Sequence, residues 1–266
     1  MTRNIPVRGA TIAVDDVGEG EPVLLLHGFP ATRRLWSHVV PLLAGTGTRL
    51  LLPDLVGYGD SEAPEGARID MASQARWMFE LLDRLDVERA TLVAHDVGSA
   101  AAQIMLATSP RRVRGLVVLD GVFEGEWAMG AVESIQKWDP AEASRLFPVL
   151  VRRLAKTAPL REVLGAYEGE RGGLRLIRAA RDLEPRQTES IAEALRASTV
   201  PALVLWGEHD TFLPLATVGR PLAALLQAPL VVLPGGHFTP SDCPAEVSAE
   251  LRAFFSRLPL EIAWGD

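Results

Sequence analysis

One aspartate in this sequence occupies a position where an acidic side chain could act as a nucleophile. Asp96 directly follows a short apolar segment and is the centre of the pentapeptide Ala-His-Asp-Val-Gly at positions 94–98. A central reactive residue flanked at a distance of two by small residues is typical of a sharp strand-to-helix turn, which exposes the central side chain. Asp96 is therefore a candidate nucleophile, and a plain helix N-cap is the alternative interpretation.

Two later residues are candidates for a general base and its acidic partner. Asp210 follows Asp96 by 114 residues (210 − 96), and His237 follows Asp210 by 27 residues (237 − 210). A histidine oriented by a carboxylate can take a proton from water, as in catalytic triads. Asp120 also follows an apolar segment, so it is an alternative acid.

The elements that must position these residues are short, solidly apolar segments, which are typical of strands buried on both faces of a parallel sheet. Amphipathic segments alternate with them, which indicates βαβ units, and an antiparallel hairpin is expected at residues 5–15. The helices predicted from these amphipathic segments are Leu35–Leu43, Ile69–Leu85, Ser99–Thr108, Leu215–Leu226 and Ala245–Leu258. Ligands of such sheets bind at the carboxyl ends of the strands, where the candidate residues lie. The predicted strands are Val23–Leu26, Leu50–Leu52, Thr91–Ala94, Leu116–Leu119, Leu203–Trp206 and Leu230–Leu233.

The alternation of strands and helices stops between residues 121 and 199. This stretch has helical periodicity and no strand-like segment, so we expect a helical cap at residues 122–198 and a core domain made of residues 1–121 and 199–266. The helices predicted in the cap are Ala128–Ile135, Pro140–Leu154, Leu174–Leu183 and Gln187–Arg196.

Together these motifs resemble the α/β-hydrolase superfamily, and the resemblance covers nearly the whole chain. The order nucleophile, acid, histidine is the order of that family. The tetrapeptide His-Gly-Phe-Pro at positions 27–30, followed by Trp36, and the His-Asp-x-Gly turn at Asp96 are similar to the branch that contains epoxide hydrolases and haloalkane or haloacetate dehalogenases. The resemblance implies a mostly parallel eight-stranded sheet flanked by helices, with the helical cap inserted after strand 6.

The resemblance also implies a mechanism. Asp96 would attack an sp³ carbon to form an ester, and water activated by His237 and Asp210 would hydrolyse that ester. The backbone N–H groups of Phe29 and Val97 would stabilise the oxyanion. Because Asp96 precedes a helix, its pKa is expected to be lowered.

Other residues favour an epoxide over a halogenated substrate. Haloalkane dehalogenases usually place side-chain N–H donors for the halide where this chain has Phe29 and Val97. Fluoroacetate-type dehalogenases usually carry a histidine in the cap, and the predicted cap of this chain contains none. Epoxide hydrolases usually use two cap tyrosines, and Tyr167 is the single cap candidate here. Indole N–H groups are alternative donors, so the predicted substrate-binding residues are Trp36, Trp127, Trp138 and Tyr167.

The resulting hypothesis is epoxide ring opening on a small to medium apolar or aromatic substrate. The first alternative is a dehalogenase for haloacids or haloalkanes, or another hydrolase of specialised metabolites. The second alternative is a catalytically idle ligand-binding or non-hydrolytic protein with the same fold. Trp36 is also compatible with a place in the core, because its spacing to Leu43 is helical.

Composition restricts the classes of partner. The 266 residues carry a net charge of −7, which disfavours nucleic acid and anionic membranes as partners. A single cysteine excludes internal disulfides and cysteine-based zinc sites. No apolar segment is long enough for a signal peptide or a membrane span. We expect a cytoplasmic monomer or homodimer that acts on a small molecule, with no metal and no cofactor.

Overall fold

A mostly parallel sheet of eight strands forms the centre of the computed structural model, which describes residues 2–127, 129–154, 167 and 169–259. The strands are β1 (Thr2–Val7), β2 (Ala10–Val17), β3 (Glu21–Leu26), β4 (Thr48–Pro53), β5 (Ala90–His95), β6 (Val113–Leu119), β7 (Ala202–Gly207) and β8 (Leu230–Leu233).

The strand order is β1-β2-β4-β3-β5-β6-β7-β8. The predicted hairpin is β1–β2, which is antiparallel, and β2 also pairs antiparallel with β4. The remaining neighbours are parallel. The predicted α/β-hydrolase architecture of the sheet is therefore confirmed.

The middle of the sheet carries the candidate nucleophile. Every residue of β5 and β6 is buried, because helices cover both faces of these strands and apolar side chains point to each. Directly after these strands, Asp96 and Asp120 adopt left-handed backbone conformations, with φ of 50° and 44°. Aspartate tolerates this conformation better than most residues. The two carboxylates consequently leave the carboxyl edge of the sheet at sharp turns.

The helices of the core differ from the prediction at two prolines. A single helix was expected over Leu35–Leu43, but the structure has a 3₁₀ helix at Arg33–Trp36 and a separate helix α1 (Val40–Leu43). Proline fits only the first turn of an α-helix, so Pro41 starts a new helix. Pro221 has the same effect on the predicted helix Leu215–Leu226, which divides into a π-helical turn (Leu215–Gly219) and an α-helix (Arg220–Leu225).

Three more core helices lie within two residues of their predicted positions: α2 (Met71–Arg84), α3 (Gly98–Thr108) and, after β8, the helix Pro244–Arg257. The structure adds two short helices, a 3₁₀ helix at Pro110–Arg112 and an α-helix at Thr239–Asp242.

Helices fill the described part of the segment between β6 and β7. They are α4 (Met129–Lys137), α5 (Pro140–Leu154), α6 (Gly169–Arg181), α7 (Arg186–Glu189) and α8 (Ala192–Arg196). In order along the chain, the core helices that follow are α9 (Arg220–Leu225), α10 (Thr239–Asp242) and α11 (Pro244–Arg257).

Helix α6 begins five residues before the predicted Leu174–Leu183 helix. The first residues of α6 include three glycines, whose low helix propensity does not predict a helix there. Close packing explains these glycines. A Cβ at Gly172 would lie 2.3 Å from the backbone of Tyr167, and a Cβ at Gly173 would lie 2.4 Å from the carbonyl oxygen of Pro140. The predicted helix Gln187–Arg196 is divided into α7 and α8.

One face of α6 and the residue that follows it fix the inserted helices on the core. Arg175 donates to the carbonyl oxygen of Gly59 at 2.6 Å, and Arg178 donates to that of Ala67 at 2.7 Å. Asp182 accepts a hydrogen bond of 2.7 Å from the backbone N–H of Ile69. The spacing of three and four residues puts these side chains on one side of the helix.

The predicted boundaries of cap and core remain predictions. The predicted cap, residues 122–198, includes residues 128, 155–166 and 168, which lie outside the described residues. The predicted core includes residues 1 and 260–266, which also lie outside them. Among the residues that are described, no helix is long and apolar enough to span a membrane.

Candidate functional site

The structure brings together the three residues predicted to form a catalytic triad. Asp96 follows β5, Asp210 follows β7 and His237 follows β8, so all three lie at the carboxyl edge of the sheet. Nδ1 of His237 is 2.9 Å from Oδ2 of Asp210, and Nε2 is 3.8 Å from Oδ1 of Asp96. An imidazole between two carboxylates can be oriented by one of them while its other nitrogen faces the reacting centre.

The predicted oxyanion donors converge on Asp96. The backbone N–H of Phe29 donates to Oδ2 of Asp96 at 2.9 Å, and the backbone N–H of Val97 also hydrogen-bonds to this carboxyl group. Gly28 makes this approach possible, because a Cβ there would lie 2.5 Å from both Cβ and Oδ2 of Asp96. Two backbone donors next to an acyl carbon are the arrangement that stabilises a tetrahedral oxyanion.

The expectation of a lowered pKa for Asp96 is wrong in direction. Its side chain is almost fully buried, with 7% of the residue exposed. Burial raises the pKa of Asp96 above its ordinary value, and this outweighs the opposing effects of the His237 charge and of the backbone donors at Val97 and Phe29. The sequence indicated the donors but not the loss of solvent around the carboxylate.

At His237 the neighbouring carboxylates outweigh the effect of burial on the pKa. Burial by itself lowers its pKa, but the hydrogen bond and charge of Asp210, followed by the charges of Asp96 and Asp120, raise the pKa of His237 to about 9. Imidazolium is therefore the stable form at neutral pH while Asp96 is ionised. A base of this kind becomes available when the neighbouring negative charge is removed.

Backbone groups in the loop after β7 fix the orientation of the Asp210 carboxylate. Its Oδ1 accepts hydrogen bonds from the backbone N–H groups of Phe212 at 2.8 Å and Leu213 at 3.0 Å. These two bonds leave Oδ2 directed at His237. The loop therefore fixes the carboxylate in an orientation that selects the Nδ1–H tautomer of the imidazole.

Asp120, the alternative acid, makes different hydrogen bonds. Its Oδ1 accepts from the backbone N–H of Gly207 at 2.6 Å, and its Oδ2 accepts from the hydroxyl of Thr239 at 2.5 Å. Burial raises the pKa of Asp120 to about 8, despite the charge of His237 and these donors. This carboxyl group thus connects the loops after β7 and β8, and the geometry favours Asp210 as the partner of His237.

A second buried network shapes the loop that carries Phe29. Nε2 of His27 accepts a hydrogen bond of 2.9 Å from the backbone N–H of Leu55, and its Nδ1 is 2.9 Å from the carbonyl oxygen of Gly28. Burial lowers the pKa of His27. The ring is therefore neutral, donates through Nδ1, and holds the backbone beside the N–H of Phe29.

The four predicted substrate-binding aromatics have different surroundings. The indole N–H of Trp127 donates to the carbonyl oxygen of Glu124 at 2.9 Å and lies 3.1 Å from the Thr188 hydroxyl, so it is already engaged within the protein. Trp138 is half-buried against the core cluster. Trp36 is fully buried in the core, and its indole N–H has no hydrogen-bond partner among the described residues.

Tyr167 is, like Trp36, a predicted donor whose polar atom is unpartnered among the described residues. It is 1% exposed and packs edge-on against Phe147, with ring centroids 5.5 Å apart. Its hydroxyl group has no hydrogen-bond partner among the described residues. Burial raises its pKa, so the phenol keeps its proton. An unpartnered buried hydroxyl lowers the stability of the folded protein, and a ligand that accepts a hydrogen bond from it would remove that cost.

Sequence reasoning missed two side chains that connect the loops of the site. Thr239 donates to Asp120, and Nε2 of His95 contacts the backbone carbonyl oxygen of His237. The position of His95 directly before Asp96 was the available signal. No group of three or more potential metal ligands occurs within the described ranges.

Comparisons with known proteins agree with this geometry. A family model described as alpha/beta hydrolase fold matches residues 21–242. A haloalkane dehalogenase from Sphingobium indicum is 30% identical, over 96% of this chain and 95% of the relative. Another, from Mesorhizobium japonicum, is 27% identical, over 96% of this chain and 90% of the relative.

A crystal structure of a haloalkane dehalogenase from Bradyrhizobium elkani has the same fold, with a TM-score of 0.82 at 23% identity, covering 96% of this chain and 97% of that one. The family model extends from β3 to β8 and over the three loops that carry Asp96, Asp210 and His237. The chain therefore belongs to the α/β-hydrolase fold family, in its aspartate-nucleophile, dehalogenase-like branch.

Proposed function

We propose that this hydrolase acts through a covalent ester on Asp96 and opens epoxides. The observation that carries the proposal is the position of the Asp96 carboxylate, which lies between the backbone donor of Phe29 at 2.9 Å and Nε2 of His237 at 3.8 Å. A carboxylate oxygen attacks an sp³ carbon of the substrate, a C–O bond of the ring breaks, and the substrate oxygen leaves the carbon with the electron pair.

The second half of the reaction uses the same groups in other roles. Ester formation removes the negative charge of Asp96, which is one of the charges that raise the pKa of His237. With the charge of Asp96 gone, the imidazolium gives up its proton to solvent, and the alkoxide formed by ring opening takes up a proton to become a hydroxyl group. The neutral imidazole then takes a proton from water as the water oxygen attacks the acyl carbon of Asp96, and it returns that proton to the alcohol oxygen when the ester C–O bond breaks. The N–H groups of Phe29 and Val97 stabilise the resulting oxyanion before the alcohol leaves.

The types of donor that the chain offers favour an oxygen leaving group. The side chains of Phe29 and Val97 cannot donate hydrogen bonds, so these positions offer nothing to a departing halide. The phenol of Tyr167 is buried, protonated and unpartnered among the described residues, and it can donate to an alkoxide. Stabilisation of the developing charge by such a donor is what ring opening requires.

Dehalogenation is the second candidate, and the relatives support it. The haloalkane dehalogenases from Mesorhizobium japonicum and Sphingobium indicum described above are consistent with attack of Asp96 on a carbon that carries a halogen. The two halves of the mechanism would be unchanged, with halide instead of alkoxide as the leaving group. The buried indole N–H of Trp36 has no partner among the described residues and is a donor of the type that a halide needs.

The proposal is tested by a single turnover in ¹⁸O-water with excess enzyme. Parallel reactions use an aromatic epoxide, a haloalkane and a haloacetate, with measurement of diol, halide and the mass of the Asp96 peptide. We expect diol formation with the epoxide and one ¹⁸O atom in Asp96, because the product oxygen comes from the carboxylate.

Halide release without diol formation would replace the epoxide assignment by dehalogenation. Turnover with unlabelled Asp96 would overturn the covalent mechanism, and ligand binding without turnover would favour an idle protein.

A further inference from the structure

We propose that His95 is a positioning residue, which holds the main chain of His237 so that the imidazole of His237 can serve the ester on Asp96. This inference rests on the proposed covalent mechanism. It assigns His95 no contact with the substrate. Its role is to set the distance between two loops that carry reacting groups.

The contact between the two histidines is direct and buried. Nε2 of His95 is 2.7 Å from the carbonyl oxygen of His237, and His95 has no exposed surface. The two rings lie next to each other, with centroids 5.1 Å apart and planes at 52°. Phe238 packs on the same ring at 5.5 Å. His95 therefore contacts the backbone and the side chain of the candidate base.

The hydrogen bond determines the tautomer of His95. A carbonyl oxygen can only accept, so Nε2 of His95 carries the proton and donates. Burial, followed by the nearby charge of His237, keeps the pKa of His95 well below its ordinary value. His95 is thus neutral, and a neutral ring allows His237 to carry a positive charge 5.1 Å away.

The position of His95 in the chain gives this bond its consequence. His95 is the last residue of β5 and is bonded covalently to Asp96, whereas His237 lies in the loop after β8. In the sheet, β6 and β7 separate β5 from β8. A single side-chain hydrogen bond therefore connects the segment of the nucleophile to the segment of the base, across two intervening strands.

Packing alone does not explain a histidine at this position. Nδ1 of His95 is buried and has no hydrogen-bond partner among the described residues, which has a cost in stability. An apolar side chain of similar size would fill the same space without that cost. The donor to His237 is the interaction that an apolar residue could not supply.

The test separates the two chemical steps in His95→Leu. Ester formation does not need the base, so it should proceed at close to the rate of the unsubstituted enzyme. Ester hydrolysis should be slowed about 10- to 100-fold, the scale expected when a reacting group is displaced by about 1 Å. The measurement is the time course of ester and diol by intact-protein mass spectrometry and product analysis, with an aromatic epoxide or, if the enzyme prefers it, a haloalkane.

Two matched variants distinguish positioning from general stability. His95→Gln places an amide N–H near the position of Nε2 and should recover most of the hydrolysis rate. Leu92→Ala removes a fully buried side chain from the same strand, so it should lower the melting temperature without accumulation of ester. The ¹⁵N signals of the His237 ring should broaden or shift in His95→Leu and return towards their original positions in His95→Gln.

The outcomes are distinguishable from failure of the proposed mechanism. If His237→Gln accumulates ester but His95→Leu hydrolyses it at the normal rate, the positioning role is refuted and the mechanism stands. Equal slowing of both steps in His95→Leu, with no rescue by glutamine, would also refute it. If no variant ever forms an ester, including His237→Gln, the covalent mechanism itself is wrong and His95 loses this role with it.

Discussion

The carboxylate of Asp210 lies 2.9 Å from Nδ1 of His237, although a second buried carboxyl group, that of Asp120, is also close enough to influence the charge of the imidazole. Asp210 is kept in this orientation by backbone donors to its other oxygen. Both oxygens of Asp120 accept hydrogen bonds from other groups. The two acids therefore make different contacts: Asp210 bonds to the imidazole of His237, and Asp120 bonds to Gly207 and Thr239.

The roles proposed for Asp96 and His237 predict opposite results for two variants. His237→Gln should form the ester and fail to release it, with hydrolysis slowed by at least ~10²-fold. Asp96→Asn should form no ester, because an amide is a much poorer nucleophile than a carboxylate. Intact-protein mass spectrometry after mixing with a reactive epoxide or haloalkane measures both. An adduct on Asp96→Asn and none on His237→Gln would reverse the assignment.

The identity of the acid is tested by comparing two isosteric substitutions. Asp210→Asn should slow ester hydrolysis by about 10²-fold or more, because the imidazole loses its orientation and the support for its charge. Asp120→Asn should slow it much less, since Asp120 makes no hydrogen bond to His237 in this structure. Single-turnover rates of ester decay measure the difference. A larger loss in Asp120→Asn would make Asp120 the acid.

The charge of Asp96 should be visible in the titration of His237. Because that charge contributes to raising the pKa of His237 to about 9, Asp96→Asn should lower it. The same change occurs when the ester forms, so the imidazole becomes a base at the step that needs one. Histidine ¹⁵N chemical shifts followed from pH 6 upwards report the titration. An unchanged pKa in Asp96→Asn would contradict this coupling.

The approach of the Phe29 loop to the nucleophile depends on the absence of a side chain at Gly28. A Cβ there would lie 2.5 Å from Oδ2 of Asp96, so Gly28→Ala must displace either the carboxylate or the loop. We expect ester formation to fall by about 10²-fold, the scale of a 1 Å misplacement. Gly130→Ala is the matched control, because a Cβ at Gly130 meets nothing within 4 Å. Equal activity of the two variants would show that the close approach is not needed.

Asp120 should make stability depend on pH. The ordinary pKa of an aspartate is 3.8, and burial raises the pKa of Asp120 to about 8 in the folded protein, so between these values the native state keeps a proton that the unfolded chain has lost. Stability from this group is consequently present at low pH and is lost as the pH rises from about 4 to about 8. Asp120→Asn removes this dependence. Its melting temperature should rise relative to the unsubstituted protein across that range, and a constant difference would refute the assignment.

Much of the fold could be predicted from local patterns. Solid apolar segments such as those of β5 and β6 have few alternatives to a strand buried on both faces, and the hairpin β1–β2 was located correctly. Helix boundaries were less accurate at Pro41 and at the glycines of α6, because proline position and close helix packing override the hydrophobic period.

Local sequence patterns are enough to show which residues stand at the ends of the strands, and so which side chains could meet at the carboxyl edge of the sheet. Asp96, Asp210 and His237 were identified in this way, because a parallel sheet brings the ends of its strands together whatever the length of the connections.

The interactions among these groups depend on the three-dimensional arrangement of the chain. The raised pKa of Asp96, the choice of Asp210 rather than Asp120 as the partner of His237, and the contact from His95 all depend on distances between segments far apart in the chain. The physical reason is that desolvation and hydrogen bonding act over a few ångströms, and a linear pattern carries no information about which atoms approach so closely.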